Sequence, residues 1–177
     1  MRLLIIFLIF GQTIFAQKYI TRTGITEFKA SVDAFEPVEA INSSTSAILT
    51  KKGDIASQLF VSAFLFKVAL MQEHFNENYM DSDIYPKAIF RGKIENFDFE
   101  KLSSDETYTL KGKLTIRGIS KELSFPVLLS KINKRINLKG TFSVNPKSFG
   151  IEIPNIIRKK IARKINITIN YELSQKE

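Results

Sequence analysis

From residue 87 onward the chain alternates apolar and polar residues. Ala88, Phe90, Gly92 and Ile94 share one parity, with Lys87, Arg91, Lys93 and Glu95 on the other. Tyr108, Leu110, Gly112, Leu114 and Ile116 alternate with Thr107, Thr109, Lys111, Lys113 and Thr115. After a turn at Gly118, the set Leu123, Phe125, Val127 and Leu129 repeats the pattern. So do Ile136, Leu138, Gly140, Phe142 and Val144, and then Ile165, Ile167, Ile169, Tyr171 and Leu173. Strands place successive side chains on opposite faces, so this period of two predicts antiparallel strands with one face wet and one buried.

The first half is less regular. Residues 19–23 read as a short strand ended by Gly24, and residues 25–32 as a second extended piece or its continuation. Residues 38–42 follow Pro37, and Asn42-Ser43-Ser44 carries turn chemistry. Residues 46–51 read as a strand, Lys52-Gly53-Asp54 as a hairpin turn, and residues 55–68 as a long strand. That strand is apolar on both parities: Phe60, Phe64 and Phe66 on one, Leu59, Val61 and Leu65 on the other. A bulge or a covered face accounts for this equally well.

The alternation stops between residues 71 and 92. This stretch holds the single histidine, His74, the acidic residues Glu73, Glu77, Asp81 and Asp83, and a Tyr85-Pro86 step into the next strand. It reads as a helical or irregular crossing over the end of a barrel. A second helix is predicted over residues 155–163, where Asn155 follows Pro154 in N-cap position. Inner-face glycines recur at Gly92, Gly112 and Gly140. Glycine weakens a strand but permits bending and close approach, as a closed, curved sheet requires. Periodicity alone leaves two all-β architectures open: a roughly eight-stranded barrel wide enough for one apolar ligand, and a packed sandwich with no cavity.

Composition narrows the chemistry. The 177 residues suit one domain, and 44% hydrophobic with 25% charged residues is ordinary for a folded chain. The absence of cysteine excludes disulfides, thiolate metal sites and a cysteine nucleophile. Fifteen phenylalanines without a tryptophan make the aromatic surface almost wholly apolar. At the N-terminus, Arg2, an apolar run over residues 3–10 and the small Ala16 form an export signal, with cleavage expected before Gln17. The run is too short to span a bilayer comfortably, which takes about 20 residues, so an uncleaved membrane anchor is the lesser alternative. The expected organisation is therefore a cleaved signal over 1–16 and one domain over 17–177, exported to the periplasm or the exterior. Removal of 1–16 takes one of the 26 basic residues and none of the 18 acidic ones, leaving a formal +7. In an exported protein that charge points to an anionic membrane surface or head group rather than to nucleic acid.

Four segments carry a family resemblance: residues 70–94 (LMQEHFNENYMDSDIYPKAIFRGKI), 108–127 (YTLKGKLTIRGISKELSFPV), 142–154 (FSVNPKSFGIEIP) and 160–173 (KIARKINITINYEL). A histidine-bearing crossing, a Tyr-Pro-x-Ala-x-Phe strand entry and a Leu-Thr-Ile-x-Gly hairpin together resemble the YceI-like family of exported, lipocalin-like barrels. Residues 24–31 (GITEFKAS) fit more loosely. Ser148 stands before Phe149-Gly150-Ile151 where relatives often carry aspartate, and Tyr19 lies where a tryptophan is common. The resemblance implies an antiparallel barrel of about eight strands with one or two short helices. It also implies a long apolar tunnel for the tail of an isoprenoid lipid or quinone.

On this reading Phe60, Phe64, Phe90, Tyr108, Leu110, Phe125, Leu138, Phe142, Ile165 and Ile167 line the tunnel. His74, Asn76 and Tyr85 stand at its mouth. No catalytic residue, metal or cofactor is expected. His74 lacks a nucleophile elbow and further histidines nearby in sequence, and the acidic group lacks the spacing and glycine of a calcium loop. The basic run Arg158, Lys159, Lys160, Arg163 and Lys164, interleaved with Ile156, Ile157 and Ile161, fits either an anionic lipid surface or a solvated face. The expected function is non-enzymatic binding and carriage of a long isoprenoid lipid or quinone. An enzyme acting on such a lipid and a packed barrel without ligand are the alternatives. An anionic membrane surface and a second copy of the chain are the candidate macromolecular partners; nucleic acid is not.

Overall fold

The computed structural model describes residues 17–32 and 37–176. The expected export signal, residues 1–16, lies outside the described residues. Among the described residues nine strands form one antiparallel sheet: β1 (Lys18–Ser31), β2 (Glu39–Thr50), β3 (Asp54–Phe60), β4 (Leu65–Phe66), β5 (Lys87–Ile94), β6 (Glu106–Ile116), β7 (Ile119–Ile132), β8 (Arg135–Val144) and β9 (Ile161–Gln175). The order is β1-β9-β8-β7-β6-β5-β3-β2, and β1 pairs with β2 to close an eight-stranded barrel. Closure leaves no free edge around the ring. β4 lies outside it and pairs with β2 through Ala40–Phe66 and Ile41–Leu65.

The alternating parities face as the period of two demands. Leu110, Leu114, Phe125, Val127, Leu129, Ile136, Leu138, Ile169, Tyr171 and Leu173 are buried inside the ring. Gly92 and Gly112 face each other across β5 and β6. A Cβ on Gly112 would lie 2.4 Å from the Arg91 carbonyl and 2.7 Å from Cζ of Phe90. The glycine pair thus leaves the groove that the Phe90 ring occupies.

The chain departs from its sequence reading in four places. Gly24 does not end a strand but sits in a bulge of a continuous β1, where register shifts flank it. Its missing side chain admits the Tyr171 ring, since a Cβ there would lie 2.7 Å from Tyr171 Cδ1. Asn42-Ser43-Ser44 is not a chain reversal but part of β2, opposite that bulge. The Asn42 side chain accepts from Ser44 N at 2.9 Å, so the local turn chemistry is used within the strand. The long strand 55–68 breaks after Phe60 into a 3₁₀ turn (Val61–Ala63) before β4. Asn42 Nδ2 bridges the break by donating to the Phe60 carbonyl at 3.0 Å.

The fourth departure is the helix expected over 155–163. The chain instead makes successive turns from 155 to 160, with Ile157 N donating to the Pro154 carbonyl and Lys160 N to the Ile157 carbonyl. From Ile161 the backbone pairs with Ser31 of β1. The remaining six residues are too few to offset helix nucleation.

One end of the barrel is packed shut. Tyr19, Leu49, Ile94, Leu129, Ile136, Leu138 and Leu173 are buried there, beneath a loop that inserts Phe99 and Leu102. Tyr19 and Phe99 pack at a tilt with ring centroids 5.4 Å apart, and Lys131 and Lys51 place ammonium groups 4.2 and 4.5 Å from the centre of the Phe99 ring. At the other end, α1 (Ala69–His74) and a π-helical turn (Phe75–Tyr79) cross the opening.

Candidate functional site

The barrel interior beneath this crossing is a cavity of about 440 Å³, within the size range of small-molecule sites. Its depth follows from the strands. Along β9, Ile161, Ile165, Ile167, Ile169 and Tyr171 border it and Leu173 does not; along β1, Ala30, Phe28 and Thr26 border it and Tyr19 does not. The cavity therefore runs from the crossed end about halfway down the barrel and stops at Tyr171.

Its walls are apolar. Phe125 and Phe142 lie with ring centroids 4.6 Å apart, and Phe90 meets Phe125 edge-on at 6.0 Å. The mouth carries a cluster in which Phe28 contacts Phe64, Phe66 and Phe75 at 5.2, 5.6 and 5.3 Å between centroids. Phe75 belongs to the π-helical turn, so the crossing is held to the barrel chiefly by aromatic contact. A polar staple adds to it. Arg117, in the β6–β7 turn at φ +48°, pairs with Asp81 at the foot of the crossing and donates to the Gly150 carbonyl at 2.6 Å. At the same end of the barrel, Ile157 and Lys160 of the basic turn border the opening, and Ile156 beside them is 89% exposed.

The deep end is different. Thr26, Thr45 and Tyr171 are each more than nine-tenths buried, and all three border the cavity. Thr26 Oγ1 lies 2.9 Å from Thr45 Oγ1 and 3.3 Å from the Tyr171 hydroxyl. Burial pushes the Tyr171 phenol above its ordinary pKa, against the opposing hydrogen bonds of Thr26 and Ser57. The phenol therefore stays protonated, a hydrogen-bond donor. Lys160 and the exposed His74, both at the mouth, are the ionisable nitrogens bordering the cavity among the described residues. Among those residues no three His, Asp or Glu side chains gather as a metal site would require.

Phe64, Phe90, Leu110, Phe125, Phe142, Ile165 and Ile167 border this cavity, as does His74 at its mouth. Five expected positions do not. Phe60 points outward, 52% exposed, under the Lys87 ammonium 5.1 Å from its ring, because the strand's inward parity belongs to Leu59. Tyr108 faces the closed end, where Phe97 covers it at 5.5 Å and its hydroxyl donates to Glu106 at 2.6 Å. Leu138 is fully buried below the cavity floor. Asn76 and Tyr85 also stand off the cavity: the Asn76 side-chain oxygen is buried without a partner, and the Tyr85 ring lies against Gly118 outside the barrel.

The sequence reading missed Met71, Phe75 and Tyr79 of the crossing, and Phe149 and Ile151 of the rim. Phe75, Tyr79 and the Phe149-Gly150-Ile151 step do lie in the segments that carry the family resemblance.

The sequence model of the YceI-like domain matches residues 14–173. The chain belongs to the YceI-like family. None of the curated proteins matches it in sequence. Solved structures do resemble it. A polyisoprenoid binding domain from Saccharophagus degradans, implicated in plant cell wall breakdown, superposes with a TM-score of 0.77 at 10% identity, over 90% of this chain and 98% of that one. Burkholderia cenocepacia BcnA gives 0.71 at 17% identity, over 85% and 96%. The Campylobacter jejuni YCEI protein gives 0.66 at 18% identity, over 81% and 88%. At these identities the likeness is one of fold. The YceI-like barrel is thus shared across the three, and this chain's cavity has to be read from its own residues.

Proposed function

We propose that this YceI-like chain is a non-enzymatic carrier that holds the tail of a long isoprenoid lipid or isoprenoid quinone in its barrel cavity. The observation that carries the reading is the cavity itself: an apolar chamber lined by phenylalanine and isoleucine, open at one end of an otherwise packed barrel. Burial of a hydrocarbon tail there contributes about 0.8 kcal/mol per CH₂, with little demand on hydrogen-bond geometry. Likeness to a polyisoprenoid binding domain supports the choice of ligand. Residues 1–16 serve as the export signal and 17–177 as the carrier, which works in the periplasm or outside the cell. The basic turn at the rim, with exposed Ile156 beside Arg158, Lys159 and Lys160, is the surface that meets anionic lipid during loading. Each basic residue there contributes about 1 kcal/mol near such a surface.

Mass spectrometry of lipid extracted from the natively purified protein tests this reading. The expected result is one isoprenoid lipid per chain, chemically unchanged after prolonged incubation. A barrel that is reproducibly empty, or a lipid that is turned over, overturns it.

A further inference from the structure

The polar group at the deep end of the cavity has no role in binding a hydrocarbon tail. Apolar side chains would fill the same positions without burying hydroxyls, which is costly unless they are paired. Thr26, Thr45 and Tyr171 bring one O–H each, and the two contacts among them use two of the three hydrogens. One O–H is left over in every arrangement. Ser57 beside Tyr171 adds one hydrogen and one contact, so the count does not change. The floor is therefore a set of mutually oriented hydroxyls with a surplus donor, at the end of an apolar chamber.

We propose that these hydroxyls form a subsite for a neutral oxygen of the ligand, a carbonyl or hydroxyl, and that the lipid enters with this end first. The proposal rests on the carrier reading above and specifies the ligand's chemistry and orientation. The surplus O–H donates to the ligand oxygen, and Tyr171, held protonated by burial, keeps its own hydrogen in the network. A phosphate or carboxylate does not suit the floor. Among the described residues no cationic side chain borders the cavity at that depth, and a buried anion without a counter-charge is strongly disfavoured. A lipid with an anionic head thus binds the other way round, its head at the rim beside Lys160. The site selects the quinone, ketone or alcohol class for head-first binding.

The experiment uses the purified chain stripped of lipid. The probes are a linear isoprenoid methyl ketone, the hydrocarbon of the same skeleton, and the corresponding prenyl phosphate. The variants are Thr45→Val and Tyr171→Phe, each close to its parent in shape. The ketone is expected to bind the parent about five-fold more tightly than the hydrocarbon, the worth of roughly one hydrogen bond. Either variant should reduce that advantage, because it interrupts the chain of hydroxyls that presents the surplus O–H. The infrared carbonyl band of the bound ketone should shift to lower frequency in the parent and shift less in Tyr171→Phe. Lys160→Met should weaken the prenyl phosphate alone. Hydrocarbon and ketone binding with equal affinity, an unshifted carbonyl band in the parent, or a ketone advantage that is undiminished in both variants overturns the subsite while the carrier reading stands. Failure of the parent to bind even the hydrocarbon overturns both. The infrared measurement needs only the parent, so a variant that does not fold leaves the proposal testable.

Discussion

Phe142→Trp separates a cavity wall from a filled core. Phe142 lies half-buried on β8 opposite Ile167, its ring centroid 4.6 Å from that of Phe125, and it borders the cavity. In a close-packed interior such an enlargement costs about 1–3 kcal/mol. Here the indole turns into about 440 Å³ of free space, so the lipid-free variant should lose less than about 1 kcal/mol. The same ring then occupies room that the tail needs. Exclusion of about two methylenes at about 0.8 kcal/mol each removes about 1.6 kcal/mol of binding, or about fifteen-fold in Kd. Phe90→Trp is the control. Its ring tip is wedged over Gly92 and Gly112, with Cζ 2.8 and 2.7 Å from the points where their Cβ atoms would lie. That side has no space to take up, and the full cost of about 1–3 kcal/mol is expected. Denaturant unfolding of lipid-free protein and mass spectrometry of retained lipid give the two readouts. The reasoning is refuted if Phe142→Trp is as costly as Phe90→Trp, or if it retains lipid as the parent does.

Gly112→Ala should destabilise the barrel by about 1–3 kcal/mol in denaturant unfolding, because its Cβ would lie 2.4 Å from the Arg91 carbonyl of the paired strand; an unchanged midpoint contradicts the close approach. Asn42→Leu leaves the Phe60 carbonyl and the Ser44 amide without their side-chain partner at a fully buried position and should cost about 1–3 kcal/mol. Tyr108, bonded to Glu106 and partly desolvated, has its phenol pKa pushed up to about 12. Its folded pKa lies above the unfolded one, so this contribution to stability is complete below about pH 10 and is lost as pH rises toward 12. A tyrosinate absorbance titration should contain a late phase that Tyr108→Phe diminishes. His74→Ala should leave lipid binding within a few-fold of the parent, since an exposed side chain at the mouth offers at most one hydrogen bond of about 0.5–1.5 kcal/mol; complete loss in a folded variant contradicts this.

The barrel was legible because its signal is repeated. Five segments of period two, with glycines on the inner parity, tell one story several times, and strand pairing in the structure follows that parity. What parity does not carry is a change of parity. Gly24 introduces a bulge in β1, which turns Thr26 into the lumen where a straight reading continues the strand differently. The chain leaves β3 at Phe60, so Phe60 and Phe64, of like parity in the sequence, end on opposite sides of the wall, the one 52% and the other 7% exposed. Parity is silent about depth as well. Phe142, Leu138 and Tyr108 share the inward face, yet Phe142 borders the cavity while Leu138 and Tyr108 belong to the packed end. Depth is set by what closes each end, and the closing residues come from loops: Phe99 and Leu102 at one end, Phe75 and Tyr79 at the other.

The polar floor shows the limit most sharply. Thr26 and Thr45 are 19 positions apart, and Thr26 and Tyr171 are 145 apart. As single residues they look like ordinary strand threonines and one more inner aromatic. Only closure of β1 onto both β2 and β9 brings them together, and only the missing side chain of Gly24 lets the Tyr171 ring approach. Glycine at 24 is therefore a condition of the site as well as of the bend. Gly24→Ala should move the Tyr171 ring and disrupt the hydroxyl network even if the barrel still closes. Lipid-free stability, carbonyl-band shift and ketone-over-hydrocarbon preference should then fall together. A variant that keeps the preference while losing stability would show that the bulge serves the fold alone.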